Sequence, residues 1–439
     1  MLLKSHAATA AKAVLCGPFT PEEVADSLAR LRARGRKTKE IVELADKLVA
    51  AFGEGKRPRI KEVTHFLKAS AFFRRLFKAL IPPKTKVVMQ PASGPPRHWN
   101  LPELTTLPGL AEWLRLDVET LRWLSSAWRG DAEKEGRLRH YHYRWIPRRA
   151  SLPRLIEAPL PGLKVVQQRI LSGILEHIPA HPAAHGFVKG RGIKSFTAPH
   201  TGQRCVLRMD IRNFFPAIRR ALVLRVFLTA GYPEAIAAAL ADLCTTVTPA
   251  AVCGAGFENL PPDTAWSFRK HLRSRHLPQG APTSPALANL CAFRMDARLK
   301  GLARKFGADY TRYADDLLFS GGEDFRRDAA RCQARAGAVL LELGFAIAQR
   351  KTRLMPSSVS QRAAGLVLNE HAALPRVERD ALKAILTNCV RHGPVSQNRG
   401  AHPDFQAHLR GRISHAAHVH PAGAAKLKSL FGAIDWDPA

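Results

Sequence analysis

Acidic residues are scarce in this chain of 439: Asp and Glu number 36 against 68 Lys and Arg, a formal net charge of +32 at pH 7. Such a deficit points to a polyanionic partner, nucleic acid first, before it points to any fold. Long apolar runs are missing too. No window reaches the ~18 uninterrupted apolar residues of a membrane-spanning helix, and the most apolar region, Ala221 to Leu243, is interrupted by Arg225, Glu234 and Asp242 and reads as core helices. The seven cysteines are scattered and never form a Cys-x-x-Cys pair, which argues against structural zinc and against a disulfide framework. A secretory core is absent because Lys12 breaks the short apolar run at the amino terminus, so a cytoplasmic protein with no membrane partner is expected.

Two adjacent carboxylates stand out in what remains. Asp315 and Asp316 sit between the β-favouring Tyr313 and the run Leu317-Leu-Phe319, a pattern that predicts a strand–turn–strand hairpin with the acids at its tip. Like charges side by side raise each other's pKa, and a bound cation relieves that cost. An ordinary solvated Asp-Asp turn is the alternative. A second acid, Asp210, ends the apolar run Cys205-Val-Leu-Arg-Met-Asp210-Ile, which reads as a buried strand. Side by side in one sheet, the two strands would bring three carboxylates to one point, as a two-metal site requires.

Taken in order, residues from about 20 to 80 read as helical, with Thr20-Pro21-Glu22-Glu23 as a helix start. Residues 1–100 hold twenty Lys and Arg against eight Asp and Glu, with Arg30, Arg32, Arg34, Arg36 and Lys37 clustered. That bias suits phosphate contact as well as a solvated face. Pro82, Pro83, Pro91, Pro95, Pro96 and Pro102 mark a linker, and a domain boundary is expected near residue 100. Beyond it the spacing predicts a helix from Leu104 to Trp128, buried at Leu110, Trp113, Leu114, Leu121 and Leu124, then a hairpin over Tyr141–Ile156 and a helix from Pro161 to Ile178. The loop His185-Gly-Phe-Val-Lys-Gly-Arg-Gly192 carries three glycines and two cations that could approach phosphates. Leu277-Pro-Gln-Gly-Ala-Pro-Thr-Ser-Pro285 reads as a turn into a helix capped by Ser284, whose core stripe is Leu287, Cys291, Met295, Leu299, Leu302 and Phe306. A last helical stripe, Val377, Leu382, Ile385, Leu386 and Cys389, ends at Gly393-Pro394. His415, His418 and His420 could bind a metal, but their cationic neighbours favour an RNA-facing surface.

Together these pieces resemble a reverse transcriptase. The resemblance is carried by Arg208-Met-Asp210-Ile-Arg-Asn-Phe-Phe-Pro-Ala-Ile218, by Leu277-Pro-Gln-Gly-Ala-Pro-Thr-Ser-Pro285 and by Tyr313-Ala-Asp-Asp316, in that order. With His185-Gly-Phe-Val-Lys-Gly-Arg191 upstream, the set is similar to the bacterial retron branch over roughly residues 103–439. It implies an α+β right-hand polymerase: a helical basic amino-terminal extension and Pro-rich linker over 1–100, fingers and palm over 101–360, and an RNA-binding thumb over 361–439. The implied function is RNA-directed DNA synthesis on a cognate structured noncoding RNA, primed from a guanosine 2′-hydroxyl, in antiviral defence with a separate effector protein. A group II intron-like or other defence-associated enzyme, or an RNA-binding scaffold with a vestigial site, are the alternatives.

Residue by residue, the resemblance implies that Asp210, Asp315 and Asp316 hold two Mg²⁺ ions. Arg154 and one of Arg148 or Arg149, with Arg148 preferred, would grip the dNTP triphosphate. Gln279 would pack against the incoming nucleotide, and Phe215 would exclude a ribose 2′-hydroxyl, unless it is simply a core phenylalanine. Lys351 would act as general acid to pyrophosphate, or be a plain surface lysine. Two elements depart from the retron pattern. Phe196-Thr-Ala-Pro-His200 keeps only the histidine of an Asn-Ala-x-x-His element, and Ala363-Ala-Gly365 replaces Val-Thr-Gly. Deletion of residues 1–95 is expected to weaken RNA binding and flatten its fall with salt, since fewer phosphates are neutralised. Filter binding across a salt series checks this; an unchanged slope would remove the region from the RNA interface.

Overall fold

The computed structural model describes residues 2–15, 19–30, 38–54, 58–71, 73, 99–125, 140–147, 153–254 and 262–436, and among these described residues it holds helices and nine strands. Arg32, Arg34, Arg36 and Lys37, the linker prolines Pro82 to Pro96, and Arg148 and Arg149 lie outside the described residues. The chain groups into two units, one of Met1–Ile178, Arg219–Ala265 and Leu272–Thr283, the other of Pro179–Ile218, Trp266–His271 and Ser284–Ala439. Among the described residues no helix is long and apolar enough to cross a membrane.

In the first unit, helices Leu2–Val14, Pro21–Arg30, Lys39–Phe52 and Ile60–Ala69 surround a core of their own that includes Val24, Leu28, Leu44, Leu48, Val63 and Leu67. The reason is periodicity: Lys39–Phe52 buries Ile41, Leu44, Ala45, Leu48 and Val49, one face of a helix. The helix expected over Leu104–Trp128 is two helices, Leu107–Leu114 and Val118–Ser125. Arg115 leaves the first in a left-handed conformation at φ 58°, and Asp117 Oδ1 accepts from Thr120 N at 2.7 Å to start the second. The stripe nevertheless persists across the break at Leu110, Leu114, Leu121 and Leu124, which are all buried, while Trp113 is only half-buried.

Strands β1 (Tyr141–Ile146) and β2 (Arg154–Pro159) form the expected antiparallel hairpin, with Tyr141 opposite Pro159 and Ile146 opposite Arg154. A buried polar knot fastens β2 to the turn before Ser284. Glu157 accepts from His276 Nε2 at 2.9 Å and from Thr248 Oγ1 at 2.7 Å, while its backbone N donates to Gln279 O at 2.9 Å. Gly280 sits at φ 139°, and a Cβ there would lie 3.0 Å from Glu157 O, so the close approach requires glycine.

The second unit is built on an antiparallel sheet in the order β4-β5-β3-β6, with β7 also paired to β3. Its strands are β3 (Cys205–Arg212), β4 (Ala308–Tyr313), β5 (Asp316–Gly321), β6 (Ala346–Ile347) and β7 (Arg353–Pro356). Strand β3 is buried on both faces, which is why its sequence reads as a nearly unbroken apolar run. A small hairpin, β8 (Arg362–Ala363) with β9 (Leu366–Val367), turns on Ala364 and Gly365, both at positive φ. Helices Arg376–His392, Phe405–Val419 and Pro421–Gly432 follow around Leu382, Leu386, Cys389, Leu409 and Leu427.

Three local expectations are corrected here. Val377 is 77% exposed and leaves the stripe of its helix. The stripe from Leu287 to Phe306 spans two helices, Ser284–Cys291 and Phe293–Lys305. Ser284 opens the first of them, but its hydroxyl is buried without a partner and does not cap it.

The same pair of helices carries the deepest polar contact. Arg312, on β4 and fully buried, donates through Nε and Nη2 to Asp296 at 2.8 and 2.7 Å, and Tyr310 Oη adds a third bond to Asp296 at 2.8 Å. Removing one partner of such a pair strands a buried charge. Asp296→Ala is therefore expected to cost about 3–5 kcal/mol, read as a lowered thermal midpoint; a midpoint within a degree of wild type would show that the pair is dispensable.

Candidate active site

Register brings the acids together. Asp210 of β3 lies directly opposite Asp316 of β5, and Asp315 occupies the two-residue turn that joins β4 to β5. The turn is tight enough to force Ala314 to φ 54°, a conformation that Cβ disfavours and that persists where surrounding structure imposes it. Three contacts impose it here. Arg312 Nη1 donates to Ala314 O at 3.1 Å, Ile211 N donates to Asp315 O at 2.9 Å, and Gly186 packs so closely that a Cβ would lie 2.8 Å from Ala314 N.

Two cations lie on two of the three carboxylates. Lys351 Nζ, from a short helical turn after β6, donates to both oxygens of Asp210 at 3.0 and 2.9 Å. Arg208 forks onto Asp316, with Nε and Nη2 at 3.0 and 2.8 Å from Oδ1 and Nη2 at 2.9 Å from Oδ2. Arg208 precedes Asp210 by two positions on β3 and so shares its face. Asp315 has no hydrogen-bond or ion-pair partner for its carboxylate among the described residues. Burial pushes the Asp210 carboxyl up, and Asp315 and Asp316 push it further, against the pull of Lys351. Burial likewise raises Asp316, with Asp315 adding to it and Arg208 opposing. No group of three or more His, Cys, Asp or Glu is arranged to hold a metal among the described residues.

Phe215 follows at once. Asn213, at φ 52°, turns the chain out of β3 into the short helix Phe214–Ala217. Phe214 is the core ring, buried against Phe345 at 5.9 Å between centroids, whereas Phe215 is only half-buried. In the first unit, Arg154 opens β2, and Gln279 lies on the segment tied to the same strand through Glu157. Asp210, Asp315, Asp316, Lys351 and Phe215 thus lie within the second unit, and Arg154 and Gln279 within the first.

Two residues of the glycine loop are engaged by the chain itself. Arg191 Nη1 donates to the carbonyls of His181, Pro182 and Ala184, so this cation holds its own loop in shape. Gly186 serves the hairpin turn, as above. His200 is buried against β4 and β5, its ring nitrogens 2.6 Å from Ser320 Oγ and 2.7 Å from Thr311 Oγ1. His420 Nδ1 accepts from Gly423 N at 2.9 Å, which makes it a helix cap, and its ring stacks on His371. Sequence reasoning missed Arg208, Arg312, Asp296 and Asn289. Only Arg208 left a signal, its position two residues before Asp210.

The family described as reverse transcriptase (RNA-dependent DNA polymerase) matches residues 146–364. The chain is 35% identical over 356 residues to the retron Mx65 reverse transcriptase of Myxococcus xanthus, covering 81% of this chain and 78% of that protein. It is 33% identical to the retron Mx162 reverse transcriptase of the same organism, covering 76% and 67%. Against the retron Ec86 reverse transcriptase of Escherichia coli the identity is 29%, over 69% and 85%.

Burial holds two histidines neutral: His200 falls to about 3, and His185, with Arg191 and Arg312 adding to the effect, to about 4. Both lie below the unfolded value of about 6.5. The unfolded chain therefore binds protons first, and stability present above pH ~6.5 is lost as pH falls toward 4 and then 3. The thermal midpoint is expected to fall between pH 7 and 4.5, and less steeply in His200→Gln. Parallel slopes for variant and wild type would refute the assignment.

Proposed function

Because the chain belongs to the retron reverse transcriptases and is an RNA-directed DNA polymerase, we propose that it copies part of a cognate structured noncoding RNA into single-stranded DNA at Asp210, Asp315 and Asp316. The observation that carries this reading is the register of Asp210 opposite Asp316, with Asp315 beside them in a constrained turn. Reverse transcriptase domains use divalent metal ions, and the donor set here suits them in its chemistry, though the described carboxylates are not arranged as a metal-holding group. Asp210 and Asp316 have carboxyls raised by burial and by neighbouring charge, and Asp315 adds a carboxylate with no cation on it among the described residues, an oxygen-only set suited to Mg²⁺. Asp210 and Asp315 would hold two such ions, with Asp316 beside them. Bound there, they supply Lewis-acid stabilisation of phosphate charge and a lowered pKa for the primer hydroxyl.

The chain's own residues do the rest. Arg154, with Arg148, grips the triphosphate of the dNTP through forked, charge-assisted hydrogen bonds, and Gln279 packs against the same nucleotide. The tie between β2 and Gln279 supports their acting together. Phe215 excludes a ribose 2′-hydroxyl; its ring, not fully buried as that of Phe214 is, supports that role over one in the core. Lys351 hands a proton to the leaving pyrophosphate, and its ammonium on Asp210 supports a place at the reaction centre. Residues 101–360 form fingers and palm and 361–439 an RNA-binding thumb, while the separate amino-terminal core supports an extension over 1–100. The partners are the noncoding RNA, its DNA product, dNTPs and an effector protein in antiviral defence.

Asp315→Asn is expected to lower template-dependent dNTP incorporation with Mg²⁺ at least ~100-fold, the scale on which removing one well-placed electrostatic group acts. Equal incorporation by variant and wild type would sink the assignment.

A further inference from the structure

The loop His185 to Gly192 takes no part in the chemistry above, yet it holds an anomalous residue. Phe187 is 50% exposed, and its backbone sits at φ 60°, in the left-handed region that disfavours any residue with a Cβ. Such a conformation persists only where the surroundings impose it. Here they do. His185 N donates to Arg312 O at 2.8 Å, and Asn289 Nδ2 donates to Gly186 O at 2.8 Å. Gly186 itself lies against the backbone of the Asp315 turn, where a Cβ would meet Ala314 N at 2.8 Å. With the preceding residues fixed, the chain turns at Phe187 and sets its ring between two others, 6.3 Å from the Phe215 centroid and 6.3 Å from that of Tyr313.

We propose that Phe187 is a specificity-determining side chain for the incoming nucleotide: it backs the Phe215 ring and fixes how far that ring can retreat from the 2′ position. The inference rests on the reading of Phe215 as the group that excludes a ribose 2′-hydroxyl. Phe214, buried in the core, packs against Phe215 at 5.7 Å between centroids. Phe187 is its second aromatic neighbour, at 6.3 Å, and the position of Phe187 is set by the same buried contacts that shape the acid turn. Discrimination and catalysis would then share one mechanical support. The exposure of Phe187 also makes it testable, since truncation there opens no buried cavity.

The experiment measures kcat/KM for dNTP and NTP incorporation in wild type, Phe187→Ala, Phe187→Tyr, Phe215→Ala and the double alanine variant, with thermal midpoints alongside. Phe187→Ala is expected to lower the dNTP preference roughly two- to tenfold, the range an aromatic pair contributes. Phe187→Tyr should keep it, and the double variant should discriminate no worse than Phe215→Ala alone. If Phe215→Ala changes discrimination while Phe187→Ala does not, or if the two effects simply multiply, the inference falls and the gate stands. If Phe215→Ala leaves discrimination unchanged, the gate reading fails and takes the inference with it.

Discussion

A fully buried guanidinium is the constraint on which the second unit depends. Arg312 donates to both oxygens of Asp296, to Asn289 Oδ1 at 3.0 Å and to the carbonyl of Ala314 at 3.1 Å. Its backbone bonds Ala183 and His185. One residue, through side chain and backbone, therefore ties a strand to two helices, a loop and the turn that carries Asp315. Burial alone would lower its pKa, but Asp296 and Tyr310 outweigh that and raise it. Buried ion pairs rarely add net stability over apolar replacements, because desolvation offsets the attraction. What this one supplies is a fixed geometry: an alanine held at positive φ, two residues beyond the arginine, next to the acids.

Around those acids the charges are arranged economically. Arg208 and Lys351 each meet one carboxylate, one from β3 and one from the turn after β6. Lys351 is half exposed and Asp210 only 7%, so the lysine reaches in from solvent to an acid that cannot reach out. Asp315, lying in the turn and without a cation among the described residues, is the carboxylate most open to an external charge. The same asymmetry explains why burial and mutual repulsion raise Asp210 and Asp316 even in the presence of their partners.

The elements legible in the sequence were those with a clean period or a strong stop. β3, the acid hairpin, the β1–β2 hairpin and the amino-terminal helices follow from apolar runs, alternation and Thr20-Pro21. Errors arose where one residue broke a continuing pattern. Leu110 to Leu124 keeps its stripe through Arg115, so the period hides the break. Val377 fits the spacing of its helix yet faces solvent, because periodicity names a face but not where its cover ends. Gly186 belongs to a loop whose glycines could approach phosphates, yet the space over this one is taken by the chain's own turn.

By itself the sequence determined the chemical inventory of this protein: a polyanion-seeking charge, two acid-bearing strands and a motif order similar to the reverse transcriptases. Those features are local in sequence or additive over it. Only the tertiary structure decided which cation meets which acid, since Arg208 and Asp316 are 108 residues apart and Lys351 and Asp210 are 141 apart. It alone placed Asp296 beneath Arg312 and Phe187 between Phe215 and Tyr313. Such pairings depend on strand register and on the packing of distant segments, neither of which leaves a period in the chain.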